Sequence, residues 1–253
     1  MAAMLFLATG LVSCRSTGDV AYREPAEPEI RFPIFNYHHV SPLPTNASPA
    51  RVTFTVTPEM LEQQLKYLKE HGYRSVPLDV LTSCFDHGTP IPPKAVAITF
   101  DDGWRDQHEY AFPLLKKYGF TAAFFVPVGW IGHPNVLPWS ELHEMADAGM
   151  AIGTHGVKHL HFDQIGEPLL KKEIVDSKAE MEDTLGHPVL FIAYPGGHWT
   201  PQAVAVVRSA GYVAALGVDH LIIQSKGHRY DVRRFHAGND MASIMNPLAE
   251  SGY

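Results

Sequence analysis

Short, continuously apolar runs alternate with amphipathic stretches along the chain from residue 30 onward. Runs of this kind, bounded by Gly, Pro and polar residues, predict buried strands. The predicted strands are Arg31–Tyr37, Ala95–Phe100, Thr121–Val126, Met150–Thr154, Val189–Tyr194 and Tyr212–Leu216. Each run is apolar at successive positions, which is typical of a parallel sheet covered on both faces.

Helices are predicted between these strands. At Thr57–Glu59 a helix begins, because Thr is a good N-cap and Pro suits the first helical position. Leucines at positions 61, 65 and 68 then share one face until Gly72. Further helices are predicted over Gln107–Tyr118, from near Ser140, over Glu167–Leu185 and over Pro201–Ala210. This alternation indicates an α/β domain, and the pattern alone fits an open doubly wound sheet or a closed barrel.

Composition narrows the class of protein. Residues 30–253 contain no internal repeat and no second linker, so a single domain is predicted there. The formal net charge of -7 argues against a non-specific nucleic-acid binder, which needs a basic surface. The chain has 15 His residues, and His is the commonest metal ligand and the usual acid or base at neutral pH.

The N-terminal segment is predicted to be a leader. Met4–Val12 is apolar, too short to span a membrane and long enough for the core of a signal peptide. The sequence Leu-Val-Ser-Cys that ends at Cys14 resembles a bacterial lipoprotein signal, although no Lys or Arg precedes the run. Residues 1–13 are then a signal peptide, 14–29 the lipidated Cys14 and a tether, and 30–253 the folded domain. The alternative is an apolar N-terminus with a chance Cys.

That resemblance implies a membrane-anchored lipoprotein of the cell envelope, on the outer membrane or facing the periplasm if the organism is Gram-negative. The lipid would then be the protein's contact with the membrane.

Residues with metal or acid–base chemistry follow four of the predicted strands. They are His38 and His39, Asp101 and Asp102, His155 and His159, and His198. Carboxyl ends of parallel strands meet at one edge, in an open sheet and in a barrel alike. Two His and one carboxylate form a three-ligand set that leaves a catalytic metal open to water and substrate. A lone Asp-Asp-Gly is usually a turn and a lone His-x-x-x-His is a weak signal, so the metal-hydrolase hypothesis depends on their coincidence at strand ends.

Three segments resemble motifs of the polysaccharide deacetylase family, also described as the NodB-homology domain and related to carbohydrate esterase family 4. They are Ile98–Val126, Met150–His159 and Ala193–Gly197. The resemblance implies a distorted (β/α)7 barrel and metal-dependent removal of N-acetyl groups from an N-acetylglucosamine polymer. It is closest to the circularly shifted branch of poly-N-acetylglucosamine deacetylases, since Phe-Asn-Tyr-His-His occurs at the first strand and no Leu-x-His occurs late in the chain.

The resemblance also implies roles for individual residues. Asp102, His155 and His159 hold a divalent cation, Zn²⁺ before Co²⁺ or Ni²⁺. Asp101 is the general base, and a protonated His38, rather than His39, is the general acid. Three further sets complete the predicted site. The backbone N–H of Tyr194 meets the oxyanion, and Arg234 is the partner of Asp101 or a surface charge. Trp104, Trp139 and Trp199 form walls for the sugar at the substrate rim or serve only in packing there.

Departures from the family pattern leave alternatives. Gly156 stands where members usually have Ser or Thr, and Tyr194 stands where many have Arg. Two other functions remain open: an O-acetyl esterase on a xylan-like glycan, which would use the same site on a different bond, and a non-catalytic sugar-binding lipoprotein, since fold does not fix function. The expected partner is an acetylated polysaccharide, with no nucleic acid, and the chain is expected to be a monomer. In the metal-free protein, replacing Asp101 or Asp102 is expected to cost little stability.

Overall fold

The computed structural model describes residues 29–253. The predicted signal peptide and Cys14 lie outside this range. Strands in the described part are β1 (Ile30–Arg31), β2 (Ile34–Tyr37), β3 (His39–Val40), β4 (Thr55–Val56), β5 (Arg74–Ser75), β6 (Ala95–Phe100), β7 (Ala123–Val126), β8 (Ala151–Thr154), β9 (Phe191–Ala193), β10 (Ala214–Leu216), β11 (Ile223–Gln224) and β12 (Phe235–His236).

Seven strands form one parallel path in the order β10-β9-β8-β7-β6-β2-β12, and β5 pairs with β6 beside it. Val232, just before β12, makes a parallel bridge to Leu216 at the end of β10. Phe235, within β12, pairs with Phe35 of β2 at the opposite edge. The segment from Val232 to His236 therefore contacts both edges and curls the sheet round on itself. This confirms the predicted α/β fold, a distorted (β/α)7 barrel.

Helices cover the outside of the sheet. They are α1 (Pro49–Thr53), α2 (Pro58–Glu70), α3 (Asp79–His87), α4 (Phe112–Tyr118), α5 (Trp139–Asp147), α6 (Glu167–Lys171), α7 (Ser177–Leu185), α8 (Pro201–Ser209) and α9 (Ala242–Ser251). Two π-helical segments, Gln107–Ala111 and Lys172–Asp176, interrupt the helices that the sequence predicts as continuous. Within residues 29–253, none of the helices combines the length and apolar character needed to span a membrane.

Alternating side chains of the parallel strands face two separate apolar clusters. The outer cluster packs against the helices and includes Phe35, Ile98, Phe124, Ile192 and Ala215. The inner cluster fills the barrel and includes Ile34, Ala97, Phe125, Ala193 and Leu216. Along the same strands, the inward positions then become polar at the carboxyl ends, where Asn36, Thr99, Asp101, His155 and Arg234 are all buried. The barrel thus has an apolar body and a polar end.

Candidate active site

Asp101 forms a bidentate ion pair with Arg234 inside the barrel. Nη1 and Nη2 of Arg234 donate to Oδ1 and Oδ2 of Asp101, both at 2.8 Å. Nδ2 of Asn36 donates to Oδ2 at 3.2 Å. The guanidinium is fully buried, and its Nε donates to the carbonyl oxygen of Gly217 at 2.9 Å. Arg234 is therefore the partner of Asp101 and not a surface charge.

The pair keeps the carboxylate of Asp101 ionised. Burial alone would raise the pKa of Asp101, but the Arg234 guanidinium, with His155 nearby, holds that pKa below its usual value. The charge of Asp101 is thus compensated without any metal. This corrects the expectation that Asp101 can be replaced at little cost in stability, because its removal leaves a buried guanidinium without a counter-charge.

Asp102 points away from its neighbour, toward two histidines. One ligand atom each from Asp102, His155 and His159 lie within 4.8 Å of one another. Oδ1 of Asp102 is 3.5 Å from Nε2 of His155 and 3.2 Å from Nε2 of His159. The structure therefore brings together the three residues that the sequence predicts as metal ligands.

The backbone at this turn explains how adjacent aspartates face different partners. Asp102 has a φ of 71°, in the left-handed region that non-glycine residues rarely adopt. His159, on the loop after β8, is in the same region with a φ of 58°. At Gly103, with a φ of 67°, a Cβ atom would lie 2.5 Å from Cγ1 of Val126. Asp-Asp-Gly thus turns sharply as β6 ends, and strained backbone of this kind is concentrated at functional sites.

The donor atoms fit a divalent cation. Nδ1 of His155 lies 2.8 Å from the carbonyl oxygen of Ala193. A carbonyl only accepts, so Nδ1 carries a hydrogen and Nε2 is the nitrogen turned toward Asp102. Burial alone would lower the pKa of His155, but the Asp102 carboxylate holds that pKa above its usual value. Oδ1 of Asp102 is buried and accepts no hydrogen bond from any described residue. A divalent cation between the three ligand atoms would satisfy all of them, and two imidazoles with one carboxylate suit Zn²⁺.

A buried carboxylate holds the loop that joins the two histidines. Oε2 of Glu173 accepts hydrogen bonds from the N–H groups of Val157 and Lys158, both at 2.8 Å. At Gly156, whose φ is 78°, a Cβ atom would lie 2.7 Å from the same oxygen. The Glu173 carboxylate therefore occupies the space that a Ser or Thr side chain would need, which accounts for Gly156 in this chain.

His38 lines a cavity of about 730 Å³ together with Asp101, Asp102, His155 and His159. Burial lowers the pKa of His38 to about 4, against the opposing effect of the two aspartates. The imidazole is therefore neutral at pH 7 in the metal-free protein. The predicted role of a protonated His38 as general acid therefore requires that the ring gain its proton during the reaction.

His39 has structural partners instead. Its Nδ1 is 2.8 Å from Oδ2 of Asp106, and its ring stacks on Trp104 with centroids 4.3 Å apart. Trp104 lines the cavity, as predicted, and its Nε1 donates to Oδ2 of Asp102 at 3.0 Å. The structure thus separates the two adjacent histidines, with Trp104 linking His39 to the metal-site carboxylate.

Three predicted site residues lie elsewhere. The N–H of Tyr194 donates to the carbonyl oxygen of Leu216 at 2.9 Å, so strand pairing uses the donor that was expected to meet the oxyanion. Trp139 packs against the outer core at the start of α5. Trp199 is 39% exposed, and its Nε1 donates to Oδ1 of Asp231. Neither tryptophan is among the residues that line the cavity.

Sequence reasoning missed several residues that support the site. Nε2 of Gln107 donates to the carbonyl oxygens of His38 and Asp101, at 2.8 and 2.6 Å, and so ties two strand ends together. His236 lines the cavity, and its Nε2 lies 2.9 Å from the carbonyl oxygen of Thr53. The available signal for Gln107 was its place four residues after Gly103 of the Asp-Asp-Gly motif, and the signal for His236 was its place two residues after Arg234.

Comparison with known proteins finds a family model that matches this chain. The family model described as "Polysaccharide deacetylase" matches residues 88–215. That segment contains both aspartates and both metal-site histidines, and it leaves out His38 and Arg234.

Two relatives extend the similarity. A Bacillus subtilis protein assigned to the polysaccharide deacetylases, YxkH, is 28% identical over 186 residues, which are 74% of this chain. The chain covers 64% of that relative, less than two thirds of its length. A Staphylococcus aureus poly-beta-1,6-N-acetyl-D-glucosamine N-deacetylase is 24% identical over 201 residues, covering 74% of this chain and 69% of the relative.

Solved structures share the fold. The Streptococcus pyogenes deacetylase PplD in complex with acetate matches with a TM-score of 0.79 and 24% identity, over 89% of this chain and 98% of that one. IcaB from Ammonifex degensii matches with a TM-score of 0.73 and 23% identity, over 88% and 97%. At these identities the likeness establishes the common architecture.

Proposed function

The chain belongs to the polysaccharide deacetylase family, and from this premise we propose that it is a metal-dependent hydrolase of N-acetyl groups on an N-acetylglucosamine-containing polysaccharide. One observation carries the proposal: two adjacent aspartates have separate partners in one cavity. Asp101 is held ionised by Arg234, and Asp102 faces two imidazole nitrogens. The Staphylococcus aureus relative is named for this reaction on poly-beta-1,6-N-acetyl-D-glucosamine.

Asp102, His155 and His159 would hold the cation. Two nitrogens and one carboxylate favour Zn²⁺, and Co²⁺ or Ni²⁺ can bind the same set. When bound, a divalent cation polarises the acetyl carbonyl and acidifies a water molecule.

Asp101 acts as the general base in this proposal. Its carboxylate lines the cavity, is ionised at neutral pH and is fixed in orientation by Arg234 and Asn36. It accepts the proton that water loses as the new C–O bond of acetate forms. The Arg234 guanidinium keeps the pKa of Asp101 low, so Asp101 is a weak base. A weak base is sufficient for a water molecule whose own pKa a bound cation would lower.

His38 acts as the general acid. The C–N bond of an acetamide breaks only when the leaving nitrogen gains a proton, and the His38 side chain lies in the same cavity. Since the imidazole rests neutral, the proton that it donates has to arrive during the reaction. Asp101 gains a proton from the attacking water. The overall result is that one proton moves from this water to the leaving amine.

Acetate release tests the proposal. Wild-type protein, stripped of metal and then reloaded with Zn²⁺, is incubated with N-acetylglucosamine oligomers and with an acetylated xylan. We expect Zn²⁺-dependent release from the oligomers. Release from the xylan alone would identify an O-acetyl esterase, and a folded protein that releases nothing with any divalent metal would leave a sugar-binding function.

We also propose that a lipid on Cys14 anchors the protein at the cell envelope. The apolar run Met4–Val12 and the Leu-Val-Ser-Cys sequence that follows support this location. Metabolic labelling with an alkyne fatty acid should mark the wild-type protein and not the Cys14→Ser variant, which should leave the membrane fraction. Label retained by the variant would refute lipidation at Cys14.

A further inference from the structure

Four residues that line the catalytic cavity each have a buried polar atom without a hydrogen-bond partner in the described part of the chain. The atoms are Oδ1 of Asn36, Nδ1 of His38, Oδ1 of Asp102 and Nδ1 of His236. An unpaired buried polar atom destabilises a fold, so each one needs an explanation. The proposed cation accounts for the atom of Asp102, and the other three need partners of another kind.

Asn36 on β2 is the most firmly held of these residues. Its side chain is buried, and Nδ2 donates to Oδ2 of Asp101 at 3.2 Å. A carboxylate only accepts, so the NH₂ group has to face Asp101 and Oδ1 is fixed as an acceptor. The backbone is fixed as well, because Asn36 pairs with Thr99 of β6 on one side and with His236 of β12 on the other.

Nearby donors are already used by other acceptors. Oγ1 of Thr99 donates to the carbonyl oxygen of Phe35 at 2.8 Å. All three side-chain nitrogens of Arg234 donate elsewhere. Nδ1 of His38 lacks a partner too, so it is not bonded to Oδ1 of Asn36. Because no residue between 29 and 253 donates to this oxygen, its donor has to enter through the cavity.

The neighbours of Asn36 indicate which donor that is. Asp101, which Asn36 contacts, is the proposed base for attack of water on the acetyl carbon. His38, two residues further along the chain, is the proposed acid for the leaving nitrogen. That nitrogen is bonded to the acetyl carbon and carries one hydrogen, so an acetamide brings a donor to this part of the cavity. An acetate ester has an oxygen without hydrogen at the same place.

We propose that Oδ1 of Asn36 accepts a hydrogen bond from the acetamide N–H of the substrate and makes the site select N-acetyl over O-acetyl groups. This inference rests on the proposed function and adds a specificity-determining residue to it. With the N–H held by Asn36, the lone pair that forms on nitrogen as water adds to the carbonyl is free to take a proton from His38. An ester leaves Oδ1 unpaired, and a polar site rejects an analogue that lacks the matching hydrogen.

Calorimetry on the metal-free protein tests this without turnover. The ligands are a β-linked N-acetylglucosamine trimer and the same trimer methylated on each acetamide nitrogen, which removes the donor. We expect the wild type to bind the first ligand about tenfold more tightly, the scale of one hydrogen bond. Asn36→Leu, similar in size, should bind both alike. Asn246→Leu, the same change at an exposed position of α9, is the matched control and should keep the preference.

A second variant guards against misfolding of the first. Asn36→Ala adds no bulk beside the cavity and should also bind both ligands alike. Circular dichroism checks that each variant is folded.

Kinetics on the Zn²⁺-loaded enzyme give an independent measurement. Both Asn36 variants lose the hydrogen bond to Asp101, which should slow amide and ester substrates alike because both reactions need the base. On N-acetylglucosamine oligomers, kcat/KM should fall about tenfold further than on an aryl acetate, because only the amide has an N–H to lose. An equal fall on the two substrates would contradict the proposed acceptor.

Two binding results would overturn it. One is a wild type that binds the two trimers alike, and the other is a preference that both Asn36 variants keep, which would mean that the methyl group is excluded by its size. A preference that depends on Asn36, in a protein that releases no acetate with any divalent metal, would support the acceptor and refute the hydrolysis. Acetate release together with a preference independent of Asn36 would do the reverse.

Discussion

Asp101 and Arg234 are 133 positions apart in the sequence and form a two-point ion pair, with both N···O distances at 2.8 Å. Because of this ion pair, the two aspartates of Asp-Asp-Gly have different functions. Asp101 has a permanent counter-charge in the barrel interior, and Asp102 is left to face the two histidines. The central claim is therefore that one aspartate serves proton transfer and its neighbour serves metal binding.

The ion pair predicts an unequal effect of the two aspartates on stability. In the metal-free protein, Asp101→Ala should lower the free energy of unfolding by about 3–5 kcal/mol, because it leaves Arg234 buried without a counter-charge. Asp102→Asn should change it by about 1 kcal/mol or less, since Asn tolerates the left-handed backbone at this position. Urea unfolding monitored by circular dichroism gives both values. Equal losses would contradict the assignment of Arg234 to Asp101.

Burial of His38 predicts its titration. In the unfolded chain His38 gains a proton near pH 6.5, whereas in the folded, metal-free protein its pKa is about 4. The unfolded state therefore binds more protons as the pH falls from about 6.5 to 4, and this group lowers stability over that window. The His38 resonance, assigned by its absence in His38→Gln, should stay constant from pH 8 to pH 5.5 in an NMR titration. A midpoint near 6.5 would contradict a buried, neutral imidazole.

Glu173 predicts an effect on metal affinity from outside the ligand set. Glu173→Ala frees the loop between His155 and His159, so the dissociation constant for Zn²⁺ should rise by about 10- to 100-fold. The dissociation constant is measured by competition with a chromophoric chelator. Glu180→Ala, an exposed acid on α7, is the control and should bind Zn²⁺ as the wild type does. Unchanged affinity in Glu173→Ala would show that the loop holds its shape without the carboxylate.

The proposed acid role of His38 predicts a difference between amide and ester substrates. His38→Gln should lower kcat on N-acetylglucosamine oligomers by about 10²–10⁴-fold, because the amine must be protonated as it leaves. The loss on an aryl acetate should be much smaller, since a phenolate leaves without a proton. Both rates are measured on the same metal-loaded preparation. An equal loss on the two substrates would assign His38 to orientation or binding and not to proton donation.

Local patterns predicted the α/β order of strands and helices and the candidate metal ligands, and the family resemblance chose the barrel over an open sheet. Ala95–Phe100 has the same limits in the sequence prediction and in the structure. Asp102, His155 and His159 were found because parallel strands deliver their carboxyl ends to one place. The first predicted strand is divided at Pro33, and other strands start later than predicted because their first residues do not pair in the sheet.

Contacts between distant segments were harder to predict. Nothing near Arg234 in the sequence indicates burial, since only the closing of the barrel brings it to Asp101. The N–H of Tyr194 was misassigned because its use depends on the register of β9 and β10. Gln107 and Glu173 each lie in a π-helical segment. An insertion of one residue into a helix changes which face such residues present, and hydrophobic periodicity does not reveal it.

The most direct test of the central claim measures bound metal and turnover together in Asp101→Asn and Asp102→Asn. After loading with Zn²⁺ and desalting, metal content is determined by mass spectrometry and acetate release is followed on N-acetylglucosamine oligomers. We expect Asp102→Asn to lose both metal and turnover, and Asp101→Asn to keep its metal and lose turnover. Full activity in Asp101→Asn, or loss of metal from it to the same extent as from Asp102→Asn, would contradict the division of roles between the two aspartates.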